Sequence, residues 1–307
     1  MTRTMRAVIA AGAEVERYDA RGRFIEVLLL EDSANKTLLA SYQAADPTYR
    51  KWAGRRAFND FRDHSFLRLG DFPSFKEISE SGEVNYGTLS ENREKVQAKE
   101  LNTGIAIGRR ALITDDLSAL ADFSSMIALR AAADENQRAY AVLAANGALS
   151  DGKALFHADH GNLAASAQAL SAIGGIAAAV AALRKQKSPD GITLNIVPRF
   201  LIVGPSLELE ARKILTTVNP TKSADVNPWS GLVELIVDAN IEDLTWYIFA
   251  DPGAVPTVVY GYVSGAEGPQ IRTEIDFDTR AVKVAAGLDF GVGQIDFRGA
   301  FKGTATA

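Results

Sequence analysis

The sequence predicts an α+β fold in which helices and antiparallel strands occupy separate stretches of chain. Three observations lead there. Apolar side chains recur at helical spacing over residues 115–147, β-formers without helical period fill residues 63–113, and short strand-like runs crowd residues 235–297. There is no regular strand–helix–strand alternation, which disfavours a doubly wound nucleotide fold.

Length and composition narrow the class. A chain of 307 residues predicts about two domains, or one elaborated by insertions. With 47% hydrophobic and 23% charged residues it is ordinary globular material, neither collagen-like nor disordered. Lys and Arg number 33 against 38 Asp and Glu, so the chain lacks the concentrated basic excess of a duplex-DNA reader. The absence of cysteine excludes disulfides, thiolate metal sites and cysteine nucleophiles, leaving packing and association as sources of stability. The opening MTRTMRAVIAAG is followed by Glu14, Glu16 and Arg17 and does not read as a signal peptide. The Ala-rich stretch 164–183 is broken by Gly174 and Gly175, so no membrane-spanning helix is expected. These features predict a soluble protein made in a reducing cytoplasm.

Along the chain, the apolar run Phe24–Leu30 is expected to form a short strand on an otherwise extended arm. Residues 49–68 are the one locally basic segment, with Arg50, Lys51, Arg55, Arg56, Arg62 and Arg68 against Asp60 and Asp63. They read as a solvated surface or as a contact with acidic surface or nucleic acid. Residues 63–113 read as two long antiparallel arms with a polar tip near 79–88. An isolated two-stranded ribbon is marginal in water, so this hairpin needs a partner surface, expected to be another subunit.

Asp115 and Asp116 are good N-caps for a helix whose stripe includes Leu120, Phe123, Ile127 and Ala131, with Arg130, Asp134, Glu135 and Arg138 placed elsewhere and Gly147 as the stop. Such a length exceeds the globular mean and suits a structural strut. After a loop at 151–162, a second, Ala-rich helix is expected to run to Lys187 and end in the turn Ser188–Gly191. FLIV at 200–203 reads as a buried strand, and Pro205 as the first residue of a helix to Thr217. Residues 219–231 read as loop. Strands are then expected at 235–237, 246–249, 255–262, 270–276, 282–286 and 294–297. Alternation is clearest at Val282, Val284 and Ala286.

Chemistry has few footholds. His157, Asp159 and His160 in FHADHGN invite a metal or acid/base reading, yet no HExxH glutamate and no third ligand accompany them. A structural loop whose imidazoles bond backbone is preferred. His64 is isolated and reads as a surface or packing residue. Asp289-Phe290-Gly291 lacks the other kinase motifs, Gly204–Lys213 lacks the phosphate-loop ending, and no G-x-S-x-G elbow occurs. No cofactor or metal is expected, and the chain is not read as an enzyme.

Several co-ordered segments resemble a known family. GDFPSFKEISESGEVNYGTLSE and GIAIGRRALITDDL, the long helix, and LSDGKALFHADHGNLA are similar to the phage Mu-like major head subunit, the gpT-like major capsid proteins. RFLIVGPSLELEARKIL, WYIFADP and DFGVGQIDFRGAFK are similar to that family's second half. The likeness covers residues 45–303. It implies the Hong Kong 97-type phage capsid fold: N-terminal arm at 1–58, extended β-hairpin (E-loop) at 59–102, axial domain at 163–250, and a peripheral domain from 103–162 with 251–307 that includes the spine helix 115–147.

The resemblance further implies a major capsid protein that self-assembles as hexamers and pentamers into an icosahedral head around double-stranded DNA. The implied partners are copies of itself, a portal protein at one vertex, scaffold and maturation protease during assembly, decoration proteins, and packaged DNA through non-specific contact, with no membrane. The chain would be assembled in the bacterial host cytoplasm and reside in the virion capsid. With so short a segment before residue 45, a fused protease domain is not expected. Intersubunit contact is expected at the hairpin tip, through Glu80, Gly82, Glu83, Asn85 and Tyr86, and at Arg50, Lys51, Arg55 and Arg56 facing a neighbour's acidic surface. Two other readings stand beside this one: an encapsulin-like nanocompartment shell, and a metal-dependent hydrolase using His157, Asp159 and His160.

Overall fold

Near the N-terminus helix formation prevails where a strand was expected. The computed structural model describes residues 25–66, 93–107, 118–170, 173–188, 190–215, 231–241, 243–275 and 281–306. In it helix α1, Ile25–Ala44, takes in most of the run expected to be a strand. A short apolar run alone does not distinguish strand from buried helix. Here Leu, Ala, Glu, Lys and Gln recur around it, and Leu38 and Tyr42, four residues apart, are buried on one helical face. Asn35 anchors α1 by bonding both the carbonyl (3.2 Å) and the amide (2.8 Å) of Ile271.

The chain divides into two units, one from Met1–Ala45, Asn102–Arg130 and Gly268–Leu288, the other from Asp46–Leu101, Ala131–Glu267 and Asp289–Ala307. The long helix α3, Ser118–Ala145, contributes residues to both. It lies inside the expected 115–147, although its expected caps, Asp115 and Asp116, fall outside the described residues. Asn146 terminates it in the left-handed region (φ 46°) and brackets Phe156, accepting from its amide at 2.7 Å and donating to its carbonyl at 3.1 Å.

In the larger unit, a four-stranded sheet runs in the order β11-β7-β5-β6, from Ala300–Thr304, Thr245–Ala250, Pro198–Val203 and Glu234–Val237. Only β5 and β6 are parallel. Both faces are covered, so FLIV is apolar at every position rather than alternating. Leu201, Val203, Trp246, Ile248 and Phe301 pack with Ile176, Ala179 and Leu183, and with Leu207, Ala211 and Ile214. On the opposite face Tyr247 meets Phe156 (5.4 Å between ring centroids) and Phe249 meets Trp52 (5.0 Å). Gly303 sits opposite Trp246, where a Cβ would come within 2.2 Å of the indole.

A second sheet runs β1-β8-β10-β4, with β9 also on β10. Its strands are Gly54–Phe58, Val258–Val263, Val282–Gln294, Ala98–Ile107 and Gln270–Ile275. β1 and β8 are parallel, while β8 and β9 pair antiparallel with successive halves of β10. The alternation read at 282–286 continues, burying Val284, Ala286, Leu288 and Phe290. A short antiparallel pair, β2 (His64–Phe66) and β3 (Glu94–Val96), holds the start and end of the expected hairpin, with His64 opposite Val96 and Phe66 opposite Glu94.

Three expectations are corrected. The Ala-rich helix begins only with a wide turn at Ile173–Ala177 and continues as α4, Ala178–Lys185, because Gly175 leaves helical geometry. Residues 161–170 are instead drawn along β11, with Ala164 and Gln168 amides on the Lys302 and Thr304 carbonyls. β8 starts at Val258 rather than 255, since Pro256 has no amide to donate. No strand forms at 294–297: β10 ends at Gln294, Asp296 accepts the Arg298 amide (3.0 Å) in a turn, and the final strand is β11. The Pro205 helix is a 3-10 turn, Pro205–Leu207, leading into α5, Glu208–Leu215; residues 216–217 lie outside the described residues.

The β1–β8 pairing leaves no room for a side chain at residue 261, where a Cβ would stand 1.8 Å from the Arg56 carbonyl oxygen and 2.9 Å from the Phe58 ring. Gly261→Ala is expected to destabilise by about 3 kcal/mol or more, read as a lowered denaturant midpoint of the unassembled chain.

Candidate functional site

The basic segment is built on a four-residue helix, α2 (Tyr49–Trp52), that runs directly into β1. Three of the four expected contact residues have a carboxylate partner in their own chain. Arg50 lies 3.4 Å from Glu135, Lys51 3.2 Å from Glu234, and Arg55 2.7 Å from Glu267. The last two pairs are exposed and contribute little each. Arg56 is exposed on the edge strand β1. The hairpin-tip residues Glu80, Gly82, Glu83, Asn85 and Tyr86 lie outside the described residues.

The described base of the hairpin is tied down by polar side chains. Glu94 on β3 is buried and accepts from the Ser150 amide (3.0 Å) and hydroxyl (2.6 Å), fixing β3 to the loop that follows the long helix. Gln97 donates to the Phe61 carbonyl (2.6 Å) in the β1–β2 turn. Phe58, Val96, Ala98, Val259 and Ile295 form a small apolar cluster beneath it.

Sequence reasoning placed Glu135 off the buried stripe of the long helix, but it lies on it, with Ala128, Ala132 and Ala139. The spacing 128, 132, 135, 139 is itself helical and was the available signal. Glu135 is fully buried and accepts from the Tyr49 hydroxyl (2.7 Å) and the Tyr262 hydroxyl (3.1 Å), with Arg50 as counter-charge. A second network joins Thr48, Asn136, Tyr140 and Asp238. Thr48 bonds Asp238, Asn136 donates to Asp238 at 2.7 Å, and the Thr48 and Tyr140 hydroxyls are 2.8 Å apart. Trp52 donates its indole N–H to Tyr140 (3.2 Å). No spacing in the sequence linked these residues.

The histidine loop is internally bonded. His157 Nδ1 accepts the Asp159 amide (3.1 Å), and His160 stacks on Phe297 at 3.9 Å with its nitrogens 3.2 Å from the Leu155 carbonyl and 2.9 Å from Asp151. Asn162 accepts from the His157 amide and donates to the Leu155 and Phe297 carbonyls. Among the described residues no group of three or more His, Cys, Asp or Glu side chains is arranged to hold a metal ion, and no helix is long and apolar enough to cross a membrane.

The described elements, a long helix, a five-stranded sheet, a four-stranded sheet and the short pair β2–β3, make a mixed α+β fold that solved structures of Hong Kong 97-type phage capsids match. The capsid of cyanophage P-SCSP1u superposes with a TM-score of 0.58 at 8% identity, covering 85% of this chain and 88% of that one. The capsid of a native gene transfer agent (GTA) particle gives 0.57 at 12%, covering 85% and 90%. The procapsid of bacteriophage JBD30 gives 0.53 at 14%, covering 92% and 75%. No curated protein sequence matches. The model of the phage capsid protein family matches residues 93–303, well over half of the chain. The chain belongs to that family and is a structural protein of the phage virion capsid.

Burial holds several phenols protonated. Desolvation, then the Glu135 and Tyr262 charges, push the Tyr49 hydroxyl far above its ordinary value. Burial, then Asp238, raises Tyr140, and burial alone raises Tyr247 from 10.0 to about 12. A raised folded-state value gives stability that is complete below the unfolded value and lost as pH rises through the folded one. Unfolding midpoints are therefore expected to fall between pH 10 and about 12, with Tyr247→Phe reducing the slope. Denaturant titrations across that range, with phenolate absorbance followed in parallel, check this.

Proposed function

We propose that this chain is the major capsid protein of a Mu-like phage, assembling as hexamers and pentamers into an icosahedral head that encloses double-stranded DNA. The observation that carries the reading is the family match at 93–303, which begins at the base of the hairpin and runs to the last strand. In this reading the work is mechanical. Residues 1–58 act as the arm, 59–102 as the E-loop, the long helix as the spine of a peripheral domain from 103–162 and 251–307, and 163–250 as the axial domain. Portal, scaffold, maturation protease and decoration proteins would act on the shell from outside this chain, and assembly would take place in the host cytoplasm. Many modest interfaces add up over a closed lattice, which favours long reaching segments over one large contact.

The full chain expressed alone, followed by negative-stain electron microscopy and light scattering, is expected to give closed shells, or hexamer-sized capsomers that close when scaffold is supplied. A stable monomer or dimer under all conditions overturns the reading. Removing residues 79–88, which carry Glu80, Gly82, Glu83, Asn85 and Tyr86, is expected to abolish closed shells.

Among the basic residues, Arg56 separates assembly from folding most cleanly, because Arg50, Lys51 and Arg55 each pair within the chain. Arg56→Glu is expected to leave the unfolding free energy of the free subunit within about 0.5 kcal/mol while lowering the yield of shells. Unchanged yield would remove Arg56 from the interface.

A further inference from the structure

The turn joining β1 to β2 is closed by one imidazole. The Asn59 amide donates to His64 Nε2 (3.1 Å), so that nitrogen carries no proton. Nδ1 lies 2.9 Å from the Arg62 carbonyl, which can only accept, so Nδ1 carries the proton. These two partners define one neutral tautomer; the Asn59 bond needs it, whereas the Nδ1–H bond to the Arg62 carbonyl survives protonation. The ring is edge-on to Phe58 at 5.0 Å, and its side chain is 21% exposed, within reach of solvent protons.

We propose that His64 is a proton-operated latch on the base of the hairpin: neutral, it holds the Asn59 amide across the turn Asn59–Asp63, and protonated at Nε2, it releases that amide. Protonation sets an N–H against an N–H. It also favours an ion pair, since Asp60 Oδ1, which accepts the Arg62 amide at 2.9 Å, stands 3.8 Å from Nε2. The proton therefore moves the ring from a backbone bond to an ion pair. Asp60 has a competitor in Arg62, 3.7 Å from its other oxygen, and on the facing strand Lys95 lies 3.8 Å from Asp63. The residue opposite His64 on β3 is the apolar Val96, and Gln97 holds the Phe61 carbonyl without charge. Asp60 is thus the carboxylate placed to receive the cationic ring.

The position gives the latch its consequence. His64 is the first residue of β2, and the chain beyond Phe66 enters the segment expected to reach a neighbouring subunit. Histidine is the side-chain type whose charge responds to mild acid, so the comparison is between mildly alkaline and mildly acid solution. The consequence for assembly rests on the E-loop reading proposed above, whereas the latch itself does not.

Hydrogen–deuterium exchange of the full, unassembled chain at pH 8 and pH 5, with exchange times scaled for intrinsic chemistry, tests the latch. In the wild type, the Asn59 amide is expected to lose protection roughly fivefold at pH 5, the loss of one ordinary hydrogen bond. His64→Ala is expected to show the low protection at both pH values. His64→Gln can accept and donate without titrating, so it is expected to stay protected at both. Equal protection of the wild type at both pH values overturns the latch, as does loss in His64→Gln, or loss shared by the core strand Pro198–Val203. A chain that shows the latch yet never forms shells overturns the capsid assembly reading alone; a shell-forming chain without the pH response overturns the latch alone.

Discussion

A carboxylate with no access to water sits on the long helix, and the larger unit is organised around satisfying it. Glu135 is fully buried, so it must be given donors or the fold loses several kcal/mol. The donors come from far apart in the chain: Tyr49 and Arg50 from the short helix before β1, and Tyr262 from β8. Meeting that requirement brings the helix, the entry to β1 and the centre of the second sheet together. Tyr49, Tyr260, Tyr262 and Phe290 then fill the space around the carboxylate, with Tyr49 edge-on to Tyr260 at 4.8 Å and to Phe290 at 5.9 Å.

A step away along the helix, Asn136 and Tyr140 extend the same logic through Thr48 to Asp238 at the end of β6. Each group in this pair of networks is positioned by at least one other, which makes the arrangement specific as well as stable. Both networks tie separate elements of the larger unit into one rigid frame. The histidine loop fits that picture, because its side chains bond the loop and stack on Phe297 at the turn before the last strand.

Reading by periodicity succeeded where one structural level settles the outcome. The long helix, the FLIV strand and the alternation at 282–286 are each fixed by local pattern, and the structure holds them within a few residues. It failed where long-range contacts decide. The run at 24–30 looks like a strand until it is read together with Leu38 and Tyr42, buried four residues apart on the same helix. Residues 161–170 have helical composition, yet edge bonding to β11 draws them out of a helix.

Composition and pattern alone therefore determined an α+β, cysteine-free protein with one long helix, and motif order pointed to a capsid protein. Tertiary structure decided which charges are internal. Lys51 and Arg55, read as facing a neighbour's acidic surface, have partners 183 and 212 residues away in their own chain, and Glu135, read as lying off the apolar stripe, is fully buried. The physical reason is distance in sequence: a helix face or a strand's alternation is written within a dozen residues, whereas the partner of a buried charge is chosen by the fold as a whole.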